Sequence, residues 1–195
     1  MPRTDSATLD AAILDAARTC VLDYGVRKTS LAEVARRAGV SRPTVYRRWP
    51  DTDTLLAELI TREFRNAIAD VMPDAPDARA RIVRGVVDGA RQIRHHEVFV
   101  KVFHADADLL LTYIVERLGR AQHEVLDLCS VVVSAGQADG SIRAGDSRQL
   151  AAMVLLIVQS TVQSARMIED ELPPDALDLQ LARAVDGYLT PKEHE

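Results

Sequence analysis

Aromatic residues are scarce in this chain: one Trp, four Tyr and three Phe among 195 residues. Its core must therefore be built from Leu, Val, Ile and Ala. Cysteine is nearly absent. Cys20 and Cys129 lie far apart and lack metal-ligand spacing, which excludes a disulfide framework and predicts reduced, buried thiols. Long hydrophobic runs are missing too. The longest, Leu150 to Val158, has nine residues, whereas a bilayer needs about 20. MPRTDSATLD at the start has no apolar stretch to serve as a signal peptide. No membrane partner and a cytoplasmic location are the expectations. Lysine is rare, 3 against 21 Arg, a bias without functional meaning. HExxH, CxxC, GxSxG and phosphate-loop motifs do not occur. No catalytic residue, metal or cofactor is expected. Four histidines, His95, His96, His104 and His123, stand near Glu97, Asp106, Asp108 and Glu124. Because His95 and His96 are adjacent, they diverge by about 100° on a helix and do not converge on one metal.

What is present is concentrated between Thr29 and Leu55, TSLAEVARRAGVSRPTVYRRWPDTDTL. Ser30 followed by Glu33 has the spacing of a capping box, which satisfies free amides at a helix start. Leu31, Val34 and Ala35 give that helix one apolar face. Gly39 supplies the left-handed stop. Ser41 caps a second helix, with Pro43 in its first turn, where a missing N–H costs little. Val40 and Val45 are its apolar side, and Arg42, Thr44, Tyr46, Arg47 and Arg48 point away. The pattern is a helix-turn-helix with a short, capped, basic second helix, the form that enters a DNA major groove.

Charge agrees. From Arg27 to Arg48 seven residues are basic and one is acidic, a net of +6, while the whole chain carries −5. An acidic protein that gathers cations on one segment has a polyanion for that segment. After Asn66 there are 13 basic against 20 acidic residues, which argues against a general nucleic-acid coat.

The stretch from about Ala12 to Leu56 resembles the DNA-binding domain of the TetR (tetracycline-repressor-like) family of bacterial regulators. The matching residues are Ala16-Ala17, Gly25, Thr29-Ser30, Val34-Ala35, Ala38-Gly39-Val40-Ser41, Thr44-Val45-Tyr46, Trp49 at a usual Phe position, and Leu55. They span about a quarter of the chain. Three positions depart from the pattern: Val21 replaces a frequent Phe, Val26 a common aromatic, and Thr52 a frequent Lys that anchors a phosphate. Arg42 and Arg47 are the base-reading candidates, since arginine pairs with guanine through two hydrogen bonds. Ser30, Thr44, Tyr46, Arg48 and Thr52 are the phosphate candidates, with Pro43 on the same surface.

Elsewhere the chain shows helices and almost no strand signal, predicting an all-α fold of about nine helices. Leu9 to Tyr24 forms a first helix ending at Gly25, and a fourth begins after Pro50 with Asp51 as cap. The stretch Met72 to Ala78, with two prolines, reads as a boundary. It divides a DNA-binding domain, residues 1–71, from a second domain, residues 72–195. Ile82 to Ile93 reads as a fifth helix, Val98 to Phe103 as a short sixth, and Leu109 to Val133 as a long helical stretch. A glycine-rich loop from Gly136 to Gly145 follows. Asp146 with Gln149 caps an eighth helix, and Asp175 opens a ninth after Pro173-Pro174.

The eighth helix is apolar on every side from Leu150 to Val158, whereas a one-sided surface helix needs a single stripe. That predicts a homodimer interface, with Leu156 on the eighth helix and Leu181, Val185 and Tyr188 on the ninth. A helix-turn-helix reader also gains from two half-sites on a palindromic operator. The resemblance implies a four-helix bundle there and a small-molecule effector pocket in the second domain. Phe99, Phe103, Tyr113 and Met153 are candidate apolar walls, with Gln159 and Gln163 as polar contacts, a set suited to a lipophilic effector. The implied protein is a ligand-responsive repressor of transcription. The competing reading is a helical small-molecule-binding protein with metal or enzymatic activity in the second domain.

Overall fold

The computed structural model describes residues 3–69, 71, 74–105 and 120–191, with side chains from residue 6 onward and none at 103–105. Among these residues there are nine α-helices and no strand. They are α1 (Arg3–Tyr24), α2 (Leu31–Arg37), α3 (Arg42–Tyr46), α4 (Thr52–Ile68), α5 (Ala78–His95), α6 (Glu97–Ala105), α7 (Arg120–Ala138), α8 (Ser147–Ser164) and α9 (Pro174–Leu189). Single 3-10 turns, Val26–Lys28 and Ala165–Ile168, follow α1 and α8.

The chain packs as two compact units, Met1–Arg65 with His96–Arg117, and Asn66–His95 with Leu118–Glu195. The first has an aliphatic core, as the shortage of aromatics requires. Ile13, Ala17, Cys20 and Val21 of α1 meet Val34 of α2, Val45 of α3, Trp49, and Leu55 and Leu59 of α4. Each fully buried Val, Leu or Ile side chain contributes roughly 1.5–3 kcal/mol. Val98 and Val102 of α6 belong to this same core. The expected division after residue 71 puts α6 with the second domain, whereas its apolar side packs with the first unit. A proline-rich break shows where a chain turns, not which core a later helix joins.

In the second unit the buried apolar residues are Ile82, Ala90 and Ile93 of α5, Leu126 and Val133 of α7, Leu150 and Val154 of α8, and Leu181, Val185 and Leu189 of α9. Buried Asp178 on α9 is held by Arg91 at 2.9 Å and by Arg94. The glycine spacing predicts a loop from Gly136, yet α7 continues to Ala138. Ile142 folds back onto the helix, and its N–H donates to the Gly136 carbonyl at 2.9 Å. A Cβ on Gly136 would lie 2.5 Å from Ile142 Cδ1. Here glycine serves a close approach within a helix. Gly140 and Gly145, with φ of 80° and 147°, make the turn. Asp146 then caps α8 as expected, accepting the Gln149 N–H at 2.8 Å. α9 starts at Pro174, one residue before the expected Asp175.

Both thiols are free. Cys20 is sealed in the first core, and burial pushes the Cys129 thiol up to about 11.

Candidate nucleic-acid interface

The reading head is assembled by caps. Ser30 is extended, with φ −133° and ψ 150°, and its hydroxyl accepts the Glu33 N–H at 3.3 Å. The reciprocal half of the predicted capping box is not made. Glu33 turns its carboxylate to Arg36, at 2.7 and 2.9 Å, and to Arg37 at 3.1 Å. Those two guanidiniums, Arg36 first, hold the Glu33 carboxyl down at about 2. Arg37 also bonds Asp23 at 2.6 Å and the Tyr24 hydroxyl at 2.6 Å, tying α2 to the end of α1. Its pKa is raised, chiefly by Asp23.

At the turn, the Val40 N–H reaches back to the Ala35 carbonyl at 3.0 Å and the Gly39 N–H to Arg36 at 3.3 Å. This double bond pattern with a left-handed Gly39, φ 67°, is a Schellman stop. Ser41 caps α3 by accepting the Thr44 N–H at 3.3 Å, and the two hydroxyls lie 2.8 Å apart. Val45 is fully buried and Trp49, four residues on, is 2 % exposed, with its indole N–H on Glu58 at 2.8 Å. These anchors turn the opposite side of α3 outward. Arg42, Pro43, Tyr46 and Arg47 are all exposed. Arg42 and Arg47 make no ion pair with any described residue, so their donors remain available to a base edge or phosphate.

Arg48 is different. Its guanidinium bonds Asp10, lies 3.4 Å from the Ser6 hydroxyl and is only 18 % exposed. The expected phosphate role is corrected: Arg48 pins the end of α3 to α1. Its position three residues after the buried Val45 brings it back toward the protein, where an α1 carboxylate competes for it. The net of +6 likewise overstates the free charge, because Arg36, Arg37 and Arg48 are all paired within the first unit. Sequence reasoning passed over Lys28, which is exposed just before the Ser30 cap. Ser30 stays exposed, while Thr44 and Thr52 are half-buried. Thr52 begins α4, where Asp51 accepts the Thr54 N–H at 2.7 Å.

The described effector candidates are divided between the two units. Phe99 is buried in the first unit, its ring edge-on to Phe64 at 6.3 Å. Met153 is 42 % exposed on the outside of α8, so its expected wall role is corrected. Gln159 and Gln163 are half-buried on α8. The Phe103 side chain and Tyr113 lie outside the described residues, as do the His104 side chain, Asp106 and Asp108. Among the described residues no three His, Cys, Asp or Glu side chains group to hold a metal.

The interface candidates divide. Leu156 is 57 % exposed. Leu181 and Val185 are 3 % and 0 % exposed inside their own protomer, and Tyr188 stacks under Arg143 at 4.6 Å. Leu181 and Val185 are therefore corrected to core residues: the most apolar face of α9 is consumed by its own chain. The outward stripes are Gln149, Met153, Leu156 and Ser160 on α8, and Leu179, Arg183 and Gly187 on α9. The 4-3-4 spacing on α8 was readable in the sequence.

Residues 13–59 match the model of the bacterial regulatory proteins of the tetR family. The chain is 45% identical over 185 residues to the HTH-type transcriptional regulator Rv2250c of Mycobacterium tuberculosis, covering 95% of this chain and 96% of that one. Among solved structures, RolR in complex with resorcinol superposes with a TM-score of 0.72 at 16% identity, covering 97% of this chain and 91% of that one. A protein from Rhodococcus sp. RHA1 superposes with a TM-score of 0.69 at 23% identity, covering 93% and 95%.

Proposed function

This chain belongs to the tetR family of bacterial HTH-type transcriptional regulators, and we propose that it is a repressor that binds a palindromic operator as a homodimer and is released by a small, lipophilic effector. The observation that carries the DNA-reading assignment is the pair Arg42 and Arg47, exposed and without ion pairs to any described residue, on a short helix whose other side is locked by Val45 and Trp49. Both forks can reach base edges, with Ser30, Thr44 and Tyr46 on the backbone.

Dimerisation is supported by α8. Only 17 % of an apolar 18-residue stretch within Ser147–Ile168 is buried in the chain. A second copy laid along Met153, Leu156 and Leu179 would cover it, forming a four-helix bundle with the small Gly187 allowing close approach. Two-fold pairing sets two α3 helices against successive major grooves, roughly 34–36 Å apart. The protein is read as acting in the cytoplasm, without catalysis.

Effector response is the remaining element. RolR is a resorcinol complex, and a regulator from Saccharomonospora viridis with the same fold is a choline complex. A helical second unit larger than a dimerisation device needs supports a sensor here. The effector acts by binding better to a geometry in which the two α3 helices no longer match the groove spacing, since equal affinity for both states shifts nothing. α4 is the continuous helix whose displacement carries this change.

Arg47→Ala tests the reading head. Operator affinity should fall by about 1–3 kcal/mol, with preference relaxed at one base pair. The measurement is fluorescence anisotropy on the selected operator and its single-base variants. Equal weakening on all sequences would replace base reading by a phosphate contact.

A further inference from the structure

The most heavily engaged buried charge in the first unit is Glu63 on α4, whose side chain is 4 % exposed. Its Oε1 accepts two bonds from Arg62, at 3.1 and 2.9 Å. Oε2 accepts the Arg18 Nε–H of α1 at 3.2 Å. The same Oε2 faces His96 Nε2 at 3.6 Å, beyond hydrogen-bond range. Arg18 divides itself, since its Nη2 bonds Glu97 at the start of α6. Arg62 continues to Asp15 of α1 at 2.8 Å. The His96 ring lies against Phe99, 5.3 Å between centroids, and its Nδ1 is buried with no hydrogen-bond partner.

Two features make this arrangement sensitive to a proton. Glu63 faces His96 directly, and among the described residues Arg18 and Arg62 are tied to that carboxylate, with Glu97 and Asp15 beyond them, so an imidazolium is attracted to a carboxylate it would have to share. Yet the ring cannot keep its present seat as a cation. A neutral imidazole needs only one donor, and its bare Nδ1 costs little. An imidazolium has two, and the second would be a buried N–H without an acceptor. The observed seat offers no acceptor among the described residues for an N–H at Nδ1. Protonation draws Nε2 to Oε2, where it competes with Arg18, and forces Nδ1 to find another partner.

We propose that operator binding by this protein is proton-linked, with His96 as the sensor and the Glu63–Arg18 tie between α4 and α1 as the contact it controls. Ile13, Ala17 and Val21 of α1, with Leu55 and Leu59 of α4, form the core on which Val34 of α2 and Val45 of α3 are seated. Loosening the tie therefore unsettles the platform of the reading helix. Affinity is greatest with the tie intact and falls as the pH is lowered from about 8 to about 6, the span over which histidine switches act. The sign separates this from plain electrostatics, because added positive charge strengthens binding to DNA.

The inference rests on the DNA-binding reading, and the two fail separately: no binding to any duplex at any pH fails that reading, whereas pH-independent binding fails this one alone. The probe is a duplex selected from a random-sequence library by the purified full chain at about pH 8, where an imidazole is mostly neutral. Its affinity is measured by anisotropy down to about pH 6, with helicity followed by circular dichroism. The native protein should lose roughly tenfold, within the usual range of coupling. His96→Gln should bind equally at both ends, while His95→Gln, at an exposed ring bonded to the Arg91 carbonyl, should keep the native slope. A flat native profile overturns the proposal, as does a His96→Gln protein with the native slope. Should His96→Gln fail to fold, NMR titration of the His96 ring in the native protein decides. By linkage the operator complex must titrate at lower pH than the free protein, and an equal or higher midpoint overturns the proposal.

Discussion

Glutamate placed at Leu156 or at Leu181 should produce two different failures. Leu181 is 3 % exposed within the protomer. Replacing it forfeits about 1.5–3 kcal/mol of burial and leaves an unpaired buried carboxylate worth several kcal/mol more. Together these rival the roughly 5–15 kcal/mol that holds a domain folded, so Leu181→Glu should not give a folded second unit. Leu156 is 57 % exposed. In the isolated protomer its glutamate is solvated, and exposed substitutions usually change stability by within about 0.5 kcal/mol. In the proposed dimer two copies would meet at a two-fold seam. At about 3 kcal/mol for each desolvated charge, the pair costs about 6 kcal/mol, a loss of roughly 10,000-fold in association. Sedimentation velocity over a concentration series, with thermal melts by circular dichroism, reads both outcomes. Leu156→Glu should sediment as a folded monomer with lost operator affinity, and Leu181→Glu should show no cooperative melt. A Leu156→Glu protein that remains dimeric at native concentrations would refute the α8 seam. Folded monomers from Leu181→Glu would refute the assignment of α9's apolar face to the protomer core.

Arg48→Ala should lower the melting temperature of the first unit by releasing Asp10 and Ser6 from α3, while leaving the salt dependence of operator binding nearly unchanged; a slope smaller by about one would restore a phosphate role. Gly136→Ala adds a Cβ 2.5 Å from Ile142 Cδ1 and 3.0 Å from Ala78 Cβ, and should destabilise the second unit by about 1–3 kcal/mol in urea melts. Ile142→Ala removes both that Cδ1 and the Cγ1 at 2.6 Å, so the double variant should be less destabilised than the sum of the two single changes, and strict additivity would count against the contact. Glu33 contributes through a carboxyl lowered from 4.5 to about 2. A lowered folded value means its stabilisation is present above the unfolded value and lost as pH falls through the window from about 4.5 to about 2. Glu33→Gln should flatten acid unfolding of the first unit across that window, and an unchanged acid profile would remove Glu33 from the account.

Local chemistry made the reading head legible before any tertiary structure. Ser30, Gly39, Ser41 and Pro43 act within one or two turns of themselves, and all of these stops and caps appear where their spacing predicts. The exposed Arg42 and Arg47 follow from Val45 alone, because burying one side of a short helix dictates the other. The helix periods of the second unit were readable for the same reason.

Tertiary structure alone decided which of several equivalent partners each side chain takes. Arg48 looks like its neighbour Arg47 until Asp10 of α1 arrives beside it. Leu181 and Leu156 are both apolar residues on apolar helices, and only packing shows that one faces its own core and the other faces outward. α6 carries an apolar stripe that fits either unit, and the first core took it. Gly136 carries a turn-former's identity and serves inside a helix, because Ile142 needed its missing Cβ. Sequence determines what a residue is able to bury or bond within its own helix. Which element stands opposite is a long-range choice, settled by the competition of whole faces for one core.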